Sequence, residues 1–395
     1  ILLIGCGRRE KIDARLFRSI AVNAASDIAD CGAPSVLSCL PMLPVKRRNS
    51  QWKIRQLLET NEHQNYRFDQ LKSESTTTTT VPAPGKVVFA VSSTRKLKKA
   101  QTAVDHALAI AAGTALAKNL GNLSSNICTP VFLAEQAIDL ASKFNSLNVS
   151  VLDEDDMKKL GMGALLCVTQ GSNQPARLVV VEYRQGTDTL KPIVLVGKGV
   201  TFDSGGLSLK PAQAMEDMKF DMAGAASVLG TLNACAQLKL PINLVGIIAA
   251  VENMPGNNAV KPGDVVTSMS GRTVEILNTD AEGRLALCDA LTYAKRFDPG
   301  TVIDIATLTG ACVVALGKHP HGLFSNSDSL TDELITAGRR SHDRPWPMPL
   351  WPEYQSSLNS KVADIANIGG SGAGAITAAC FLARFTRDMR WAHLD

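Results

Sequence analysis

The sequence predicts an α/β protein with a small N-terminal α/β domain over residues 1–92, a linker helix over 93–120, and a larger C-terminal domain over 121–395. The larger domain is expected to hold a mixed sheet covered by helices on both faces. The length of 395 residues suits two domains. Hydrophobic residues make up 45% of the chain and aromatic residues only 5%, which argues against an aromatic-rich all-β sandwich. After residue 120, short apolar runs alternate with helical segments, as in a sheet packed between helices.

The N-terminal region begins with the strand-like run ILLIG at residues 1–5 and continues with helical pieces. Residues 73–85, SESTTTTTVPAPG, are of low complexity and are predicted to form a surface loop. Residues 87–91 follow as the last strand of this domain. Because the chain neither begins with Met nor closes with a helix stop, we expect the first domain to be incomplete at its start and the last to be truncated at its end.

The linker helix is predicted from apolar residues spaced at three and four, namely Val104, Ala107, Leu108, Ala111, Ala112, Ala115 and Leu116. Beyond it, strands are predicted at 178–181, 193–196, 244–251, 274–277 and 302–305, and helices near 132–144, 222–238 and 285–297. Ligands of such sheets bind beyond the carboxyl ends of the strands. The candidate loops therefore follow residues 196, 251, 277 and 305.

Charge and cysteine content argue against several classes of protein. The net charge of +4 is too mild to require a nucleic-acid partner, although it does not exclude one. The nine cysteines are odd in number and contain no CxxC pair, which argues against a disulfide framework or zinc knuckle and favours a reducing cytoplasm. The apolar run 244–251 is far shorter than a membrane span, and the first residues lack the order of a signal peptide.

Charged residues concentrate in two glycine-containing segments near predicted strand ends. The first runs from Val196 to Pro211, VGKGVTFDSGGLSLKP, and is followed by MKFDM at 218–222. The second is NTDAEGRL at 278–285, directly ahead of a helix. Together they bring seven charged residues to one edge: Lys198, Asp203, Lys210, Asp221, Asp280, Glu282 and Arg284.

A phosphate-binding loop does not account for these segments. The sequence Gly197-Lys198-Gly199 lacks the GxxxxGK[ST] pattern of a P-loop. Gly161-Met162-Gly163 lacks the third glycine of a dinucleotide-binding fingerprint.

A divalent-metal site explains the acids better. Asp280 and Glu282 are two residues apart and would point the same way in extended backbone. With Asp203 and Asp221 they make four carboxylates that need cations to stay ionised together. Two ions of Mn²⁺, Mg²⁺ or Zn²⁺ would balance them, and no histidine lies in either segment to support a His-based zinc site. The structural alternative is a set of carboxylates at helix N-termini that pair with nearby Lys and Arg.

These segments resemble the leucyl aminopeptidase (cytosol aminopeptidase) family. Its NTDAEGRL signature stands at 278–285, VGKGxTFDSGGxxxKP at 196–211, and MKxDMxGAA at 218–226. Weaker similarity covers most of the chain, at 66–69, 119–122, 129–130, 307–310, 374–382 and 391–395. One departure is Asn122-Leu-Ser-Ser-Asn126, where relatives often carry Pro, and another is that the family continues beyond Asp395.

The resemblance implies a cytoplasmic, homohexameric, dinuclear aminopeptidase that releases unsubstituted N-terminal residues, preferably Leu, from peptides in intracellular protein turnover. The family's metal-ligand positions fall on Lys198, Asp203, Asp221, Asp280 and Glu282. Its catalytic positions fall on Lys210 and Arg284, and the latter's counterpart holds a bicarbonate ion. Two ions per subunit are expected, Mn²⁺ or Zn²⁺ first and Mg²⁺ or Co²⁺ as alternatives. One of them is expected to bind the substrate's free amine.

A DNA-binding or scaffold role on the same fold is the alternative function, because some members of this family also bind DNA. The basic clusters at 46–48 and 96–99 are short, however, and such clusters usually form a solvated face.

Overall fold

The computed structural model describes residues 1–73 and 84–395. The predicted surface loop at 73–85 therefore lies almost wholly outside the described residues. The chain groups into two compact units, one formed by residues 1–115 with 233–238 and the other by 116–232 with 239–395. The domain limits predicted from the sequence, 1–92, 93–120 and 121–395, remain a proposal.

The helices of the described residues are α1 Ala14–Asp30, α2 Ser50–Asn65, α3 Leu97–Asn122, α4 Pro130–Ser142, α5 Glu154–Lys159, α6 Gly163–Thr169, α7 Ala223–Leu238, α8 Gly283–Ala294, α9 Gly310–Leu316, α10 Asp328–Ser341 and α11 Gly374–Ala383. Within these ranges, no helix has the length and apolar character that a membrane crossing requires. The strands are β1 Ser35–Ser38, β2 Lys86–Phe89, β3 Leu147–Leu152, β4 Arg177–Arg184, β5 Ile193–Asp203, β6 Asn243–Asn253, β7 Val265–Thr267, β8 Thr273–Glu275, β9 Thr301–Ile305, β10 His321–Ser325, β11 Pro345–Pro347, β12 Ile365–Ala366 and β13 Trp391–Leu394.

The first unit contains a two-stranded parallel sheet, β1 and β2, and the helices α1 and α2. Helix α1 starts where the Asp13 carboxylate accepts a hydrogen bond from Leu16 N at 2.8 Å, a regular N-cap. Its buried face, which includes Phe17 and Ala21, packs in a small core with Leu57 of α2. The prediction of a strand at residues 1–5 was wrong, because this run pairs with none of the described strands and Ile1 is exposed.

The second unit is built on an eight-stranded mixed sheet in the order β11-β10-β13-β9-β5-β6-β4-β3. Strands β13, β9, β5 and β6 run parallel, while β4 is antiparallel to β6. The carboxyl ends of the four parallel strands therefore meet at one edge of the sheet. Strand β13, which ends at Leu394, lies between β9 and β10 and brings Asp395 to that same edge.

Helices cover both faces of this sheet, as predicted. Along β6, Val245 and Ile247 belong to the core cluster that also contains Leu287 of α8. Gly246 points to the other face, where a Cβ atom would meet Val228 of α7. Neighbouring residues of one strand thus face different helices, which explains why β6 is a continuous apolar run.

Two strand predictions need correction. Strand β5 does not end at Val196 but continues to Asp203, so Lys198 lies inside the strand and Asp203 is its last residue. The predicted strand at 274–277 is not part of the main sheet, because β8 pairs with β7 and β12 in a separate three-stranded sheet. Apolar character marks a strand but does not say which sheet the strand joins.

Candidate metal centre

Lys198 is a buried lysine in the interior of β5, with 3% of its side chain exposed. Its Nζ donates to Asp221 Oδ1 at 2.6 Å and to the carbonyl oxygen of Thr307 at 2.9 Å. Glu282 Oε1 lies 3.0 Å from the same nitrogen. The strand thus places one ammonium group between two acids that come from different segments.

Gly283, the first residue of α8, has no side chain, and Lys198 occupies the space that a side chain would fill. A Cβ atom there would collide with Cε of Lys198. The lysine is buried and held by two acids and a carbonyl group, so its side chain is not free to swing aside.

Substituting Gly283→Ala is therefore expected to destabilise the protein by about 1 to 3 kcal/mol through overpacking, although Ala normally favours a helix over Gly. Denaturant unfolding measures the change. The control is Gly121→Ala in α3, where the nearest atom would be Phe220 Cδ1 at an ordinary 3.7 Å. Equal stability of the two variants would contradict the packing argument.

Lys210 forms a second link between acids. Its Nζ lies 2.8 Å from Asp203 Oδ2 and also pairs with the carboxylate of Asp280. The chain returns toward Asp203 because Gly205 and Gly206 adopt φ values of +88° and +65°, which favour glycine.

Three buried carboxylates converge at the centre of the site. Asp203, Asp221 and Glu282 each offer one oxygen, and these oxygens lie within 4.8 Å of one another. Asp221 Oδ2 is buried without a hydrogen-bond partner among residues 1–73 and 84–395. With Asp280, four acids face two lysines, which leaves two negative charges. Oxygen donors with this excess charge fit divalent cations such as Mn²⁺, Mg²⁺ or Zn²⁺.

The protonation of these groups follows from burial and their neighbours. Burial raises the pKa of Glu282 to about 8, and the negative charge of Asp203 acts in the same direction. Burial also raises the pKa of Asp221 to about 6. Burial alone would lower the pKa of Lys198, but its attraction to Asp221 and Glu282 holds that pKa above the ordinary value. A bound cation favours the ionised form of a carboxylate. Acids whose pKa is raised by burial are therefore the ones that a cation would stabilise most.

Arg284 lies beside this group. It is buried, and its Nη1 donates to the carbonyl oxygen of Asn367 at 2.7 Å. Burial lowers the pKa of Arg284 to about 10, which still leaves it charged at neutral pH. Its Nε is buried with no hydrogen-bond partner in the described part of the chain.

A cavity of about 910 Å³ opens onto the site. Six of the seven residues singled out in the sequence line it: Lys198, Asp203, Lys210, Asp221, Asp280 and Glu282. Arg284 is not among the lining residues. Apolar side chains from the segment before α7, from the loop before α9 and from α9 itself form much of the remaining wall: Met215, Met218, Phe220, Leu308 and Val313.

Comparison with known proteins identifies the family. Residues 115–395 match the catalytic domain of the cytosol aminopeptidase family, and residues 1–75 match its N-terminal domain. The chain belongs to the cytosol aminopeptidase family.

Relatives within the family are similar over the whole chain. A probable cytosol aminopeptidase of Thioalkalivibrio sulfidiphilus is 54% identical over 396 residues, which cover 100% of this chain and 79% of the relative. One of Nitrosomonas europaea is 54% identical over 395 residues, with the same coverage of 100% and 79%. The solved structure of the bottromycin maturation enzyme BotP in complex with Mn has a TM-score of 0.89 and 34% identity over 99% of this chain and 82% of BotP. Membership of the cytosol aminopeptidase family makes this protein a hydrolase of the aminopeptidase type, with peptides as substrates.

Asp280 and Glu282 of the family's NTDAEGRL segment do not point the same way, contrary to the prediction. Asp280 and Glu282 do not lie on extended backbone, because a turn joins Ala281 N to Asn278 O and Glu282 has φ −81° and ψ −36°. Glu282 therefore faces Lys198, whereas Asp280 faces Lys210.

Several residues that support the family site were not singled out as site residues in the sequence. Asn253 Nδ2 donates to Asp203 Oδ1 at 2.7 Å, and Thr307 Oγ1 donates to Asp221 Oδ1 at 2.8 Å. The Asp395 carboxylate accepts hydrogen bonds from Leu308 N at 2.9 Å and from Thr309 Oγ1 at 2.7 Å. Single polar residues at strand ends are common, so their roles emerge only when the segments are seen together.

Proposed function

We propose that this aminopeptidase is a dinuclear metalloenzyme that releases unsubstituted N-terminal residues, preferably Leu, from peptides in intracellular protein turnover. The observation that carries the proposal is the buried group of Asp203, Asp221 and Glu282, in which Asp221 Oδ2 has no hydrogen-bond partner among the described residues. The Mn complex of the similar BotP supports the choice of metal. The apolar residues of the cavity wall support a preference for an apolar side chain.

Five residues would hold the two divalent ions: Lys198, Asp203, Asp221, Asp280 and Glu282. Mn²⁺ or Zn²⁺ is the first choice, with Mg²⁺ or Co²⁺ as alternatives. When bound, such ions polarise a carbonyl group and lower the pKa of a water molecule. Lys198 can serve as a ligand only as the neutral amine, because an ammonium group has no free lone pair.

Lys210 is proposed to stabilise the oxyanion that develops on the scissile carbonyl group. The lysine lines the cavity, and 21% of its side chain is exposed, so it can contact a substrate. Burial alone would lower the pKa of Lys210, but Asp203 and Asp280 hold it above the ordinary value. It therefore stays charged while it donates, as such stabilisation requires.

Arg284 is proposed to be the residue that would hold a small anion such as bicarbonate, which would supply a proton-accepting and proton-donating group. The support is its buried Nε, which lacks a hydrogen-bond partner within residues 1–73 and 84–395. A guanidinium group with a free N–H is a suitable partner for a planar anion.

One of the two proposed metal ions would bind the substrate's free amino group, so we propose that the site accepts only an unsubstituted N-terminus. Acetylation removes the charge and the available lone pair of that amine. Cleavage of an N-acetylated Leu-peptide is therefore expected to fall by at least about 10²-fold, because a polar site rejects a substrate that leaves it unpaired. Mass spectrometry of the products over time measures this.

The matched control is the same peptide with a free amine and a blocked C-terminus, which should be trimmed one residue at a time from its N-terminus. Internal fragments, or equal cleavage of the acetylated and free peptides, would show that the enzyme does not require a free N-terminal amino group.

A cytoplasmic location and a homohexamer are further proposals. The relatives' name, cytosol aminopeptidase, and nine free cysteines support the first. The hexamer is inferred from the family resemblance, and light scattering tests it. The DNA-binding or scaffold alternative finds no support in the comparisons, and we do not propose it.

A further inference from the structure

Asn367 is a fully buried residue directly after the short strand β12. Strand β12 pairs with β8 over only two residue pairs, Ile365 with Val274 and Ala366 with Glu275. The backbone N–H of Asn367 adds one more hydrogen bond, to Glu275 O at 2.9 Å. Strand β8 ends there, and the chain continues into the irregular segment 276–282 that leads to α8.

The side-chain amide of Asn367 continues the pairing beyond the end of the strands. Its Oδ1 accepts from Leu277 N at 2.9 Å and from Asn278 N at 3.4 Å. Its Nδ2 donates to Asn278 O at 2.7 Å and to Ala281 O at 3.4 Å. One planar amide thus offers the segment an acceptor and two donors, as a neighbouring strand would.

This contact bears on the site because the segment carries Asp280 and Glu282. Irregular backbone needs partners for its N–H and C=O groups where it is buried, and this segment contains buried residues such as Ile276 and Glu282. On the far side of the segment, Arg284 Nη1 donates to Asn367 O. A single residue therefore contacts the chain before and after both acids.

We propose that Asn367 is a positioning residue whose side-chain amide holds the 276–282 segment so that Asp280 and Glu282 are placed to bind metal. This inference rests on the proposed metal-binding role of those two acids. Asn367 is not among the residues that line the cavity, so it would act through the segment.

The test uses Asn367→Asp and Asn367→Leu in the full chain. Both variants keep the size of the side chain but lose the Nδ2 donor, and the second adds no charge. We expect Mn²⁺ affinity, titrated by calorimetry, to fall by about 10 to 100-fold in both variants. Loss of a hydrogen-bond partner that orients metal ligands usually has an effect of this size. We also expect faster hydrogen exchange at the amides of Leu277 and Asn278.

Asn243→Asp is the matched control. Asn243 is likewise buried, accepts from Gly186 N at 3.1 Å, and donates to Thr187 O and Leu190 O. It stands at the start of β6, whereas Asn253 next to the site ends that strand. The control is expected to lose stability while keeping Mn²⁺ affinity.

Wild-type Mn²⁺ affinity and exchange in both Asn367 variants would overturn the inference, and so would an equal loss of affinity in Asn243→Asp. If the unmodified protein binds no Mn²⁺, the proposed metal role fails. The exchange at Leu277 and Asn278 then still decides whether Asn367 holds the segment.

Discussion

Removal of divalent ions is expected to abolish hydrolysis of leucine amide, and adding back Mn²⁺, Zn²⁺, Co²⁺ or Mg²⁺ is expected to restore it. Three buried carboxylates with oxygens within 4.8 Å of one another repel each other unless cations lie among them. Lys198 and Lys210 neutralise only part of this charge. The measurement is the hydrolysis rate after exhaustive chelation, with metal content determined on the same samples. Full activity in protein free of metal would disprove the dinuclear mechanism.

Glu282→Gln supplies the residue-level arm of this experiment. Glu282 is buried 3.0 Å from Lys198, and the amide keeps its shape but removes the charge that a metal ligand needs. The variant should bind less metal per subunit than the wild type. The control is Glu182→Gln on β4, a half-buried glutamate that pairs with Arg184 at the opposite end of the sheet and should keep both metal and activity. Unchanged metal content in Glu282→Gln would remove this residue from the ligand set.

Lys210→Met is expected to lower kcat by about 10² to 10³-fold while leaving the bound metal in place. The ammonium group of Lys210 is proposed to interact most strongly with the developing oxyanion, so its loss affects the transition state more than substrate binding. KM should therefore change little. Steady-state kinetics at saturating metal separate kcat from KM, and metal analysis confirms occupancy.

The control for this variant is Lys261→Met, which removes an exposed lysine that pairs with Asp264 at 2.7 Å. Normal kinetics are expected there. A Lys210→Met enzyme with the wild-type kcat would exclude Lys210 from the mechanism, and a variant that loses its metal would assign the lysine a structural role instead.

Much of the fold could be predicted from hydrophobic pattern. Continuous apolar runs identified β4, β6 and β9, and three- and four-residue spacing identified α3, which runs from Leu97 to Asn122. These patterns reflect burial on one or both faces of an element, which local sequence records directly. The assignment of β8 to a separate sheet could not be predicted, because it depends on β7 and β12, whose short strands give weak signals.

The candidate site, like the fold, could be predicted only in part. Asp203, Asp221 and Glu282 stood out because charged residues concentrate in glycine-containing segments near predicted strand ends, and the structure brings all three together. The end of β5 at Asp203 and the bent backbone at Glu282 were missed, since both depend on contacts with other segments. The partners Asn253 and Asn367 were missed because an asparagine at a strand end most often belongs to a turn.

By itself, the sequence determined the chemical groups of this protein: an α/β chain with two segments of acids and lysines and a family signature. Only the tertiary structure decided how these groups pair, with Lys198 between Asp221 and Glu282, and Lys210 between Asp203 and Asp280. The physical reason is that charge pairing acts through space over a few ångströms, while these residues lie up to 84 positions apart along the chain, from Lys198 to Glu282. The parallel strands bring these distant residues together because their carboxyl ends meet at one edge of the sheet. No local sequence pattern encodes this arrangement.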